Sequence, residues 1–382
     1  MSYSLPKSIV NMQNDENKRI SPFFLVPVAF GLGVLLWPVC RYLETLIAPQ
    51  AARILLILLV LLGTATMISY MIPISRFRSI LHGIGEFFYP LFLTVLTPML
   101  VLDVLYYFGI EINPKKAVFA LAAVFLLLTG IGLIEGTGLK VRLYKAVVKD
   151  AAPLRTVLVS DLHFGFFTPG GFGENLAEAI LKEKPEAVII AGDLFDDRFD
   201  ALSGRRRERI RAGLEKLTQA VPVYACEGNH DLLYTDERKE AFLKSCGIRM
   251  LYDESILIKG IRFVFRRDIQ NDDRQPAKDL YANSSLPTVV VDHNPSQHGE
   301  AWEHGAALVL SGHTHGGQSF PGTLIYKFRR VYGYGFIREN GKQLIVTSGA
   351  GIYGCPVRLG AAREIAVVEI GAENGDQCGS KQ

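Results

Sequence analysis

Hydrophobic and polar positions follow two regimes along the chain. Up to about residue 137 the apolar residues run on almost without charge, from Phe23 to Cys40, Ile54 to Ile72, Phe88 to Gly109 and Ala117 to Ile134. Each run approaches or exceeds the ~18–20 residues a helix needs to cross the hydrocarbon layer. The links between them hold Arg41 and Arg53, then Arg76 and Arg78, then Lys115 and Lys116. Helices of a soluble bundle would carry polar stripes, and these runs carry none. The pattern therefore predicts a polar segment over 1–20 and a membrane domain of four transmembrane α-helices over 21–137. The polar lead is long, no A-x-A site follows the first run, and Lys18-Arg19 is not a twin-arginine pair. The first run therefore reads as an uncleaved anchor rather than a signal peptide.

From residue 138 the pattern changes. LKVRLYKAVV alternates with period two and predicts a half-buried strand. RTVLVS, PEAVIIAG, VPVYACEG, PTVVVDH, AALVLSG and QLIVTSG are short apolar runs ending in polar residues or glycine. Helix-like stretches lie between several of them (ENLAEAILKEK, RRRERIRAGLEKL, DERKEAFLKSC). Alternation of this kind predicts a layered α/β domain over 138–371 with strands buried on both faces. The remaining 372–382 reads as a polar tail.

Composition agrees with a chain partly in lipid. Hydrophobic residues make up 49% and charged residues 21% of the 382 positions, and the mean hydropathy is +0.21, where soluble domains are about a quarter charged. A net charge of +3 gives no generally basic surface, which disfavours nucleic acid as a partner. The cysteines (Cys40, Cys226, Cys246, Cys355, Cys378) form no C-x-x-C pair, so neither a thiolate metal site nor a disulfide framework is expected. Basic residues near the helix ends favour the side shared by the N-terminus, the second link and the segment after the last helix, with Lys7, Lys18, Arg19, Arg76, Arg78, Lys140, Arg142, Lys145 and Lys149. The opposite side has Arg41, Arg53, Lys115 and Lys116. That bias places both termini and the α/β domain in the cytoplasm of a multi-pass inner-membrane protein. Asp103, inside the third run, reads as a packing hydrogen bond.

The chemistry lies just after the buried strands. RTVLVS leads to Asp161-Leu162-His163, AVIIAG to Asp193 with Asp196 and Asp197, and VYACEG to Asn229-His230-Asp231. TVVVD leads to His293-Asn294-Pro295, and ALVLSG to His313-Thr314-His315. Layered α/β folds bind ligands at the carboxyl ends of their strands, so five strand ends deliver carboxylates, imidazoles and an amide to one rim. Carboxylate mixed with imidazole suits Mn, Fe or Zn, and the histidines argue against an all-oxygen Mg²⁺ or Ca²⁺ cage. The donors exceed what one tetrahedral ion needs, so two divalent ions sharing a carboxylate is the economical arrangement. His82, His298 and His304 fall outside these motifs and read as surface or structural.

The set DLH, GDLFDD, GNHD, HNP and GHTHGG resembles the calcineurin-like metallophosphoesterase superfamily in order and spacing, over roughly residues 150 to 371. HTHGGQ and SGAGIYGCPVRLG are similar to a membrane-associated bacterial branch with YkuE-like phosphodiesterases and a UDP-2,3-diacylglucosamine pyrophosphatase. The resemblance implies two β-sheets packed face to face with helices outside, a four-layer sandwich. It assigns Asp161, His163 and His315 to one metal, Asn229, His293 and His313 to the second, and Asp193 to both. His230 matches the histidine that protonates the leaving oxygen or stabilises the transition state. The wording Phe195-Asp196-Asp197 is unusual for the family, and Asp292 stands where serine is more common before the histidine. Neither departure removes a ligand.

These readings lead to a membrane-anchored phosphoesterase that cleaves a phosphodiester or pyrophosphate bond by attack of a metal-bridging hydroxide. A lipid-linked substrate such as UDP-2,3-diacylglucosamine is favoured, because anchoring raises its local concentration. A tethered enzyme acting on a soluble substrate is the alternative, and a sensor or transport module with a regulatory metal domain is a third reading. Asp231 stands next to His230 and either tunes its imidazole or caps the loop. Arg358 either clamps a substrate phosphate or pairs structurally. Phe164, Phe166 and Phe167 line an acyl-chain groove or pack the domain edge. Arg205, Arg206, Arg207, Arg209 and Arg211 read as a solvated helix face.

Overall fold

The computed structural model describes residues 25–69, 99–110, 113–165, 168–196, 204–232, 237–281, 285–318, 333–354 and 356–372, with isolated positions between them. The apolar half forms α1 (Leu25–Leu43), α2 (Pro49–Ser69) and α3 (Pro114–Thr137). Asn113 caps α3 by accepting from the Lys116 N–H, and Pro114 follows at the first helical position, where a missing N–H costs nothing.

The stretch Lys115–Thr137 is long and apolar enough to cross a membrane. In α1 the halves Val26–Val34 and Leu36–Leu43 meet at 46°, so it spans only as one bent helix. Pro38 lies inside α1, and its ring meets the carbonyl of Val34, four residues back, which accounts for the break. The apolar stretch Pro49–Ala65 of α2 is shorter than a span. The run from Phe88 to Gly109 is described only from Met99 on, as are none of residues 1–24. Among the described residues one straight helix is therefore long and apolar enough to span, where hydropathy alone predicted four. Its flank is open rather than packed in a core, with Phe119, Leu126 and Ile134 of α3 66%, 68% and 74% exposed. Asp103 accepts a hydrogen bond from Arg41 Nη2 at 2.6 Å, as expected, and the contact is also an ion pair.

The second half is built from two six-stranded sheets. The first contains β1 (Leu139–Val147), β2 (Leu154–Val159), β3 (Ala187–Ala191), β4 (Val223–Cys226), β5 (Arg249–Met250) and, later in the chain, β12 (Arg363–Gly371). The second contains β6 (Glu254–Ile258), β7 (Ile261–Phe265), β8 (Thr288–Val291), β9 (Leu308–Ser311), β10 (Gly335–Glu339) and β11 (Lys342–Val346). Their orders are β1-β12-β2-β3-β4-β5 and β10-β11-β9-β8-β7-β6. Helices α4 (Phe172–Lys182), α5 (Gly204–Ala220), α6 (Asn229–Leu232) and α7 (Glu237–Ser245) follow strands of the first sheet, and α8 (Ala277–Tyr281) and α9 (His298–Glu303) those of the second.

Side-chain alternation sorts each strand into two cores. Leu158, Ile189, Ala191 and Cys226 meet Phe263, Phe265, Val289, Val291 and Leu310 between the sheets. Val157, Val159, Val188 and Ile190 face outward onto Leu176, Ile180, Ile210 and Leu214 of α4 and α5. Val290 and Val309 face Ala277, Tyr281 and Ala301 on the other outer side. Two buried faces per strand explain the unbroken apolar runs. The architecture is two mixed sheets flanked by helices. Phe164 is wholly buried in the outer core against Phe172 and Phe195, so it packs the domain and lines no groove. Phe166 and Phe167 lie outside the described residues. The arginine face of α5 is largely paired or stacked, with Arg209 on Glu174, Arg211 on Glu215 and Arg207 over the Phe199 ring.

Candidate metal centre

β2, β3, β4, β8 and β9 all end at one rim, and each hands over to a polar residue. The turns there are strained. Asp161, His163, Asp193, His313 and His315 have φ of 53°, 46°, 54°, 71° and 50°. The left-handed region costs a non-glycine residue roughly 1–2 kcal/mol, and strain of this kind gathers at functional sites. Close approach does the rest. A β-carbon on Gly228 would overlap the Asp193 carboxylate, so only glycine lets the β4 turn lie against it.

The fixed backbone aims each carboxylate. Asp193 Oδ1 accepts the His230 N–H at 2.8 Å, which leaves Oδ2 facing the imidazoles. Both oxygens of Asp161 accept from the His313 N–H, at 3.2 and 3.1 Å. His293 Nδ1 lies 2.8 Å from the Ala191 carbonyl and donates to it. Its other ring nitrogen is then a lone pair when the ring is neutral. That Nε2 lies 3.1 Å from Asn229 Oδ1, 3.2 Å from Asp193 Oδ2 and 3.2 Å from His313 Nδ1. A second group mirrors the first. His163 Nε2 and His315 Nε2 are 3.2 Å apart, and Asp161 Oδ1 lies 3.4 Å from His315 Nε2. Asp193 Oδ2 is 3.8 Å from His163 Nε2 as well as 3.2 Å from His293, so it stands between the two groups.

Lone pairs converging in this way repel unless positive charge sits among them. The ionisation of the site says the same. Burial works against charge on His293, yet Asp193 outweighs it and holds that imidazole well above its ordinary pKa. Burial also opposes ionisation of Asp193, and His293 and His230 nevertheless hold it well below the carboxylate range. Burial, with the neighbouring His293, lowers His313 to about 4, and burial lowers His315 to about 3, so both are neutral donors at pH 7. Three sets, Asp161–His163–His315, Asp193–His293–His313 and, through a shared His163, His163–Asp196–His230, have ligand atoms close enough to share an ion. The residues fit a pair of divalent cations around Asp193. Saturation with Mn²⁺ at about 100 times its Kd stabilises a fold by about 2.7 kcal/mol per site. The melting temperature should then rise by roughly 5–10 °C per site. Calorimetry with and without EDTA checks this, and an unchanged midpoint would speak against both sites.

His230 sits beside this centre, its Nδ1 3.1 Å from Asp196 Oδ1. Burial lowers its pKa, but Asp193 and the Asp196 contact prevail and push it up to about 9. Of the two roles open to Asp231, tuning His230 or capping the loop, the structure takes the second. Asp231 Oδ1 accepts the N–H groups of Leu194 and Phe195 at 3.0 and 3.2 Å, and Oδ2 accepts that of Gly228 at 3.0 Å. It staples two rim turns together, which is the capping alternative. The carboxylate on His230 is Asp196, whose place three residues beyond Asp193 was the available signal.

Arg358 is corrected. It is 1% exposed and spends its donors on Ser348 and Gly351 carbonyls at 2.6 and 3.2 Å, so it offers no open clamp for a substrate phosphate. Tyr353 is the second residue that motif reading missed. Its ring lies 5.0, 5.0 and 5.6 Å from those of His163, His230 and His315 and walls the first group. His298 and His304 hold local carbonyls of Pro295 and Glu300, as structural residues do, and His82 lies outside the described residues.

Comparison with known proteins agrees with this geometry. The profile of the calcineurin-like phosphoesterases matches residues 154–317. An uncharacterised metallophosphoesterase of Helicobacter pylori is 31% identical over 229 residues, 58% of this chain and 60% of its own length. Phosphodiesterase YaeI of Escherichia coli is 30% identical over 248 residues, 59% of this chain and 85% of its own. A transmembrane protein with a metallophosphoesterase domain from Danio rerio is 29% identical over 238 residues, 56% of this chain and 52% of its own. The chain thus spans well under two thirds of two of these relatives.

Proposed function

From the premise that this chain belongs to the calcineurin-like phosphoesterases, we propose that it is a membrane-anchored phosphodiesterase or pyrophosphatase acting on a lipid-linked substrate. Asp161, His163 and His315 would hold one divalent cation, Asn229, His293 and His313 the other, with Asp193 placed to serve both. When bound, such a pair neutralises phosphoryl oxygens and makes water a nucleophile at neutral pH. The chain's own part is to hold these donors rigid and to supply a proton. His230, charged at pH 7 and facing the Asp196 carboxylate through Nδ1, has Nε2 left to protonate the leaving oxygen.

One observation supports the lipid substrate above a soluble one. In the register of the first sheet Leu139 pairs with Arg363, and Ala366 pairs with Leu158. Continuing the second ladder by three residues brings Arg363 level with Asp161. The end of α3 at Thr137 therefore reaches the sheet on the same rim as the cation donors, two strand spacings or roughly 10 Å away. A phosphoryl group in the headgroup layer is within reach of that rim. The basic residues after α3 favour a cytoplasmic domain, and hydropathy favours four spans over 21–137.

The test is hydrolysis by the Mn²⁺-loaded full chain of UDP-diacylglucosamine, phosphatidyl lipids and bis-p-nitrophenyl phosphate. Faster turnover of acylated substrates is expected. Activity on the small diester alone, with no gain from acyl chains, would refute the lipid reading and leave the tethered enzyme. Asp196→Asn should lower the pKa of His230 and move the alkaline limb of the pH–rate profile downward. An unmoved limb would separate Asp196 from the proton donor.

A further inference from the structure

The last turns of α3 do more than end near the cation donors, because they are bonded into the loops that hold them. The Arg358 N–H donates to the Gly132 carbonyl at 2.9 Å, and the Gly360 N–H donates to Glu135 Oε2 at 2.8 Å. The Arg363 guanidinium reaches the Gly136 and Thr137 carbonyls at 3.4 Å each. Close packing makes this joint possible. Gly136 lies under the Pro356 carbonyl and Gly132 under the Val357 side chain, and a β-carbon at either would overlap them.

From the joint, two buried guanidinium groups lead to the donors. Arg363 Nε donates to the Ala350 carbonyl at 2.7 Å. Arg358 Nη1 donates to the Ser348 carbonyl at 2.6 Å, and its Nη2 to the Gly351 carbonyl at 3.2 Å, 3.3 Å from His315 Nδ1. The 348–351 loop in turn grips the β2 end, since the Ala350 and Gly351 N–H groups donate to the Ser160 and Asp161 carbonyls at 2.9 Å each. Burying two arginines mainly against carbonyls is costly unless the positions matter. The negative end of the α3 dipole offsets part of that cost for Arg363.

We propose that the Gly132–Thr137 turns of α3 and the 356–363 segment form a brace that positions the Asp161–His163–His315 set, with Arg358 and Arg363 as its positioning residues. The membrane helix is then part of the frame of one cation site, and a shift of the helix alters that site ahead of the other. The inference rests on the two-cation reading. Its test follows Mn²⁺ binding to the full chain in detergent micelles by EPR titration, with circular dichroism reporting the fold. Arg363→Met and Gly136→Val should each weaken one of the two Mn²⁺ ions by roughly 10–100-fold, the usual cost of losing a support behind a metal ligand, with the other ion's affinity unchanged. Arg363→Lys, which keeps the cation but not the fork, should recover part of the loss. Folded variants with both affinities at the wild-type value overturn the brace. Should both variants misfold, Glu135→Ala decides in the same way, because it removes a single bond from a half-exposed side chain. Wild-type protein that binds no Mn²⁺ would overturn the two-cation reading instead.

Discussion

Asp193→Asn is expected to abolish hydrolysis while leaving the fold intact. One Asp193 oxygen is held by the His230 N–H, and an asparagine oxygen can still accept it. The other oxygen stands between the two imidazole groups, where an amide lacks the charge to serve two cations. The loss should be of the order of 10⁴-fold, the scale found when one member of a set of groups acting as a unit is removed. Steady-state turnover beside a thermal melt checks it. A folded variant with near-normal turnover would mean that Asp193 does not join the two sites.

His230→Ala tests a different step. Its backbone N–H is held by Asp193, and its ring faces Asp196 and lies across the His163 ring at 4.9 Å. Removing the ring should leave metal content unchanged and slow hydrolysis by roughly 10²–10⁴-fold, the usual worth of a positioned proton donor. The deficit should shrink for substrates whose leaving group needs no proton, such as p-nitrophenyl esters. Loss of a metal ion, or an equal deficit for all leaving groups, would show that His230 is a ligand or a purely structural ring.

The candidate donors were legible because they occur at the places where buried strands stop. A strand covered on both faces must be apolar, so an aspartate or histidine directly after it stands out, as Asp161, Asp193, His293 and His313 do. Partnerships across the rim were not legible. Asp231 adjoins His230 in the chain, yet a one-turn helix sends its carboxylate to backbone N–H groups, while Asp196 arrives from the β3 turn. Arg358 in a glycine-rich stretch looks like a phosphate clamp until the 348–351 loop is seen closing around it. Strand β12 and the β6–β7 hairpin were missed for a related reason. The run REIAVVEIG opens with Arg363 and Glu364 and carries Glu369 before its end, and ESILIKGIRFVF pairs with itself instead of alternating with a helix. Of the four apolar runs, the described residues show one helix long and apolar enough to cross a membrane, or two if the bent α1 counts. Hydropathy measures apolar length and is blind to the bend ahead of Pro38 in α1, and part of the second and third runs lies outside the described residues.

The most direct measurement is an anomalous difference map from crystals of the full chain grown with Mn²⁺. Two peaks about 3.5–4 Å apart are expected, one within reach of Asp161, His163 and His315, the other of Asn229, His293 and His313, with Asp193 Oδ2 between them. A single peak, or peaks away from Asp193, would contradict the account.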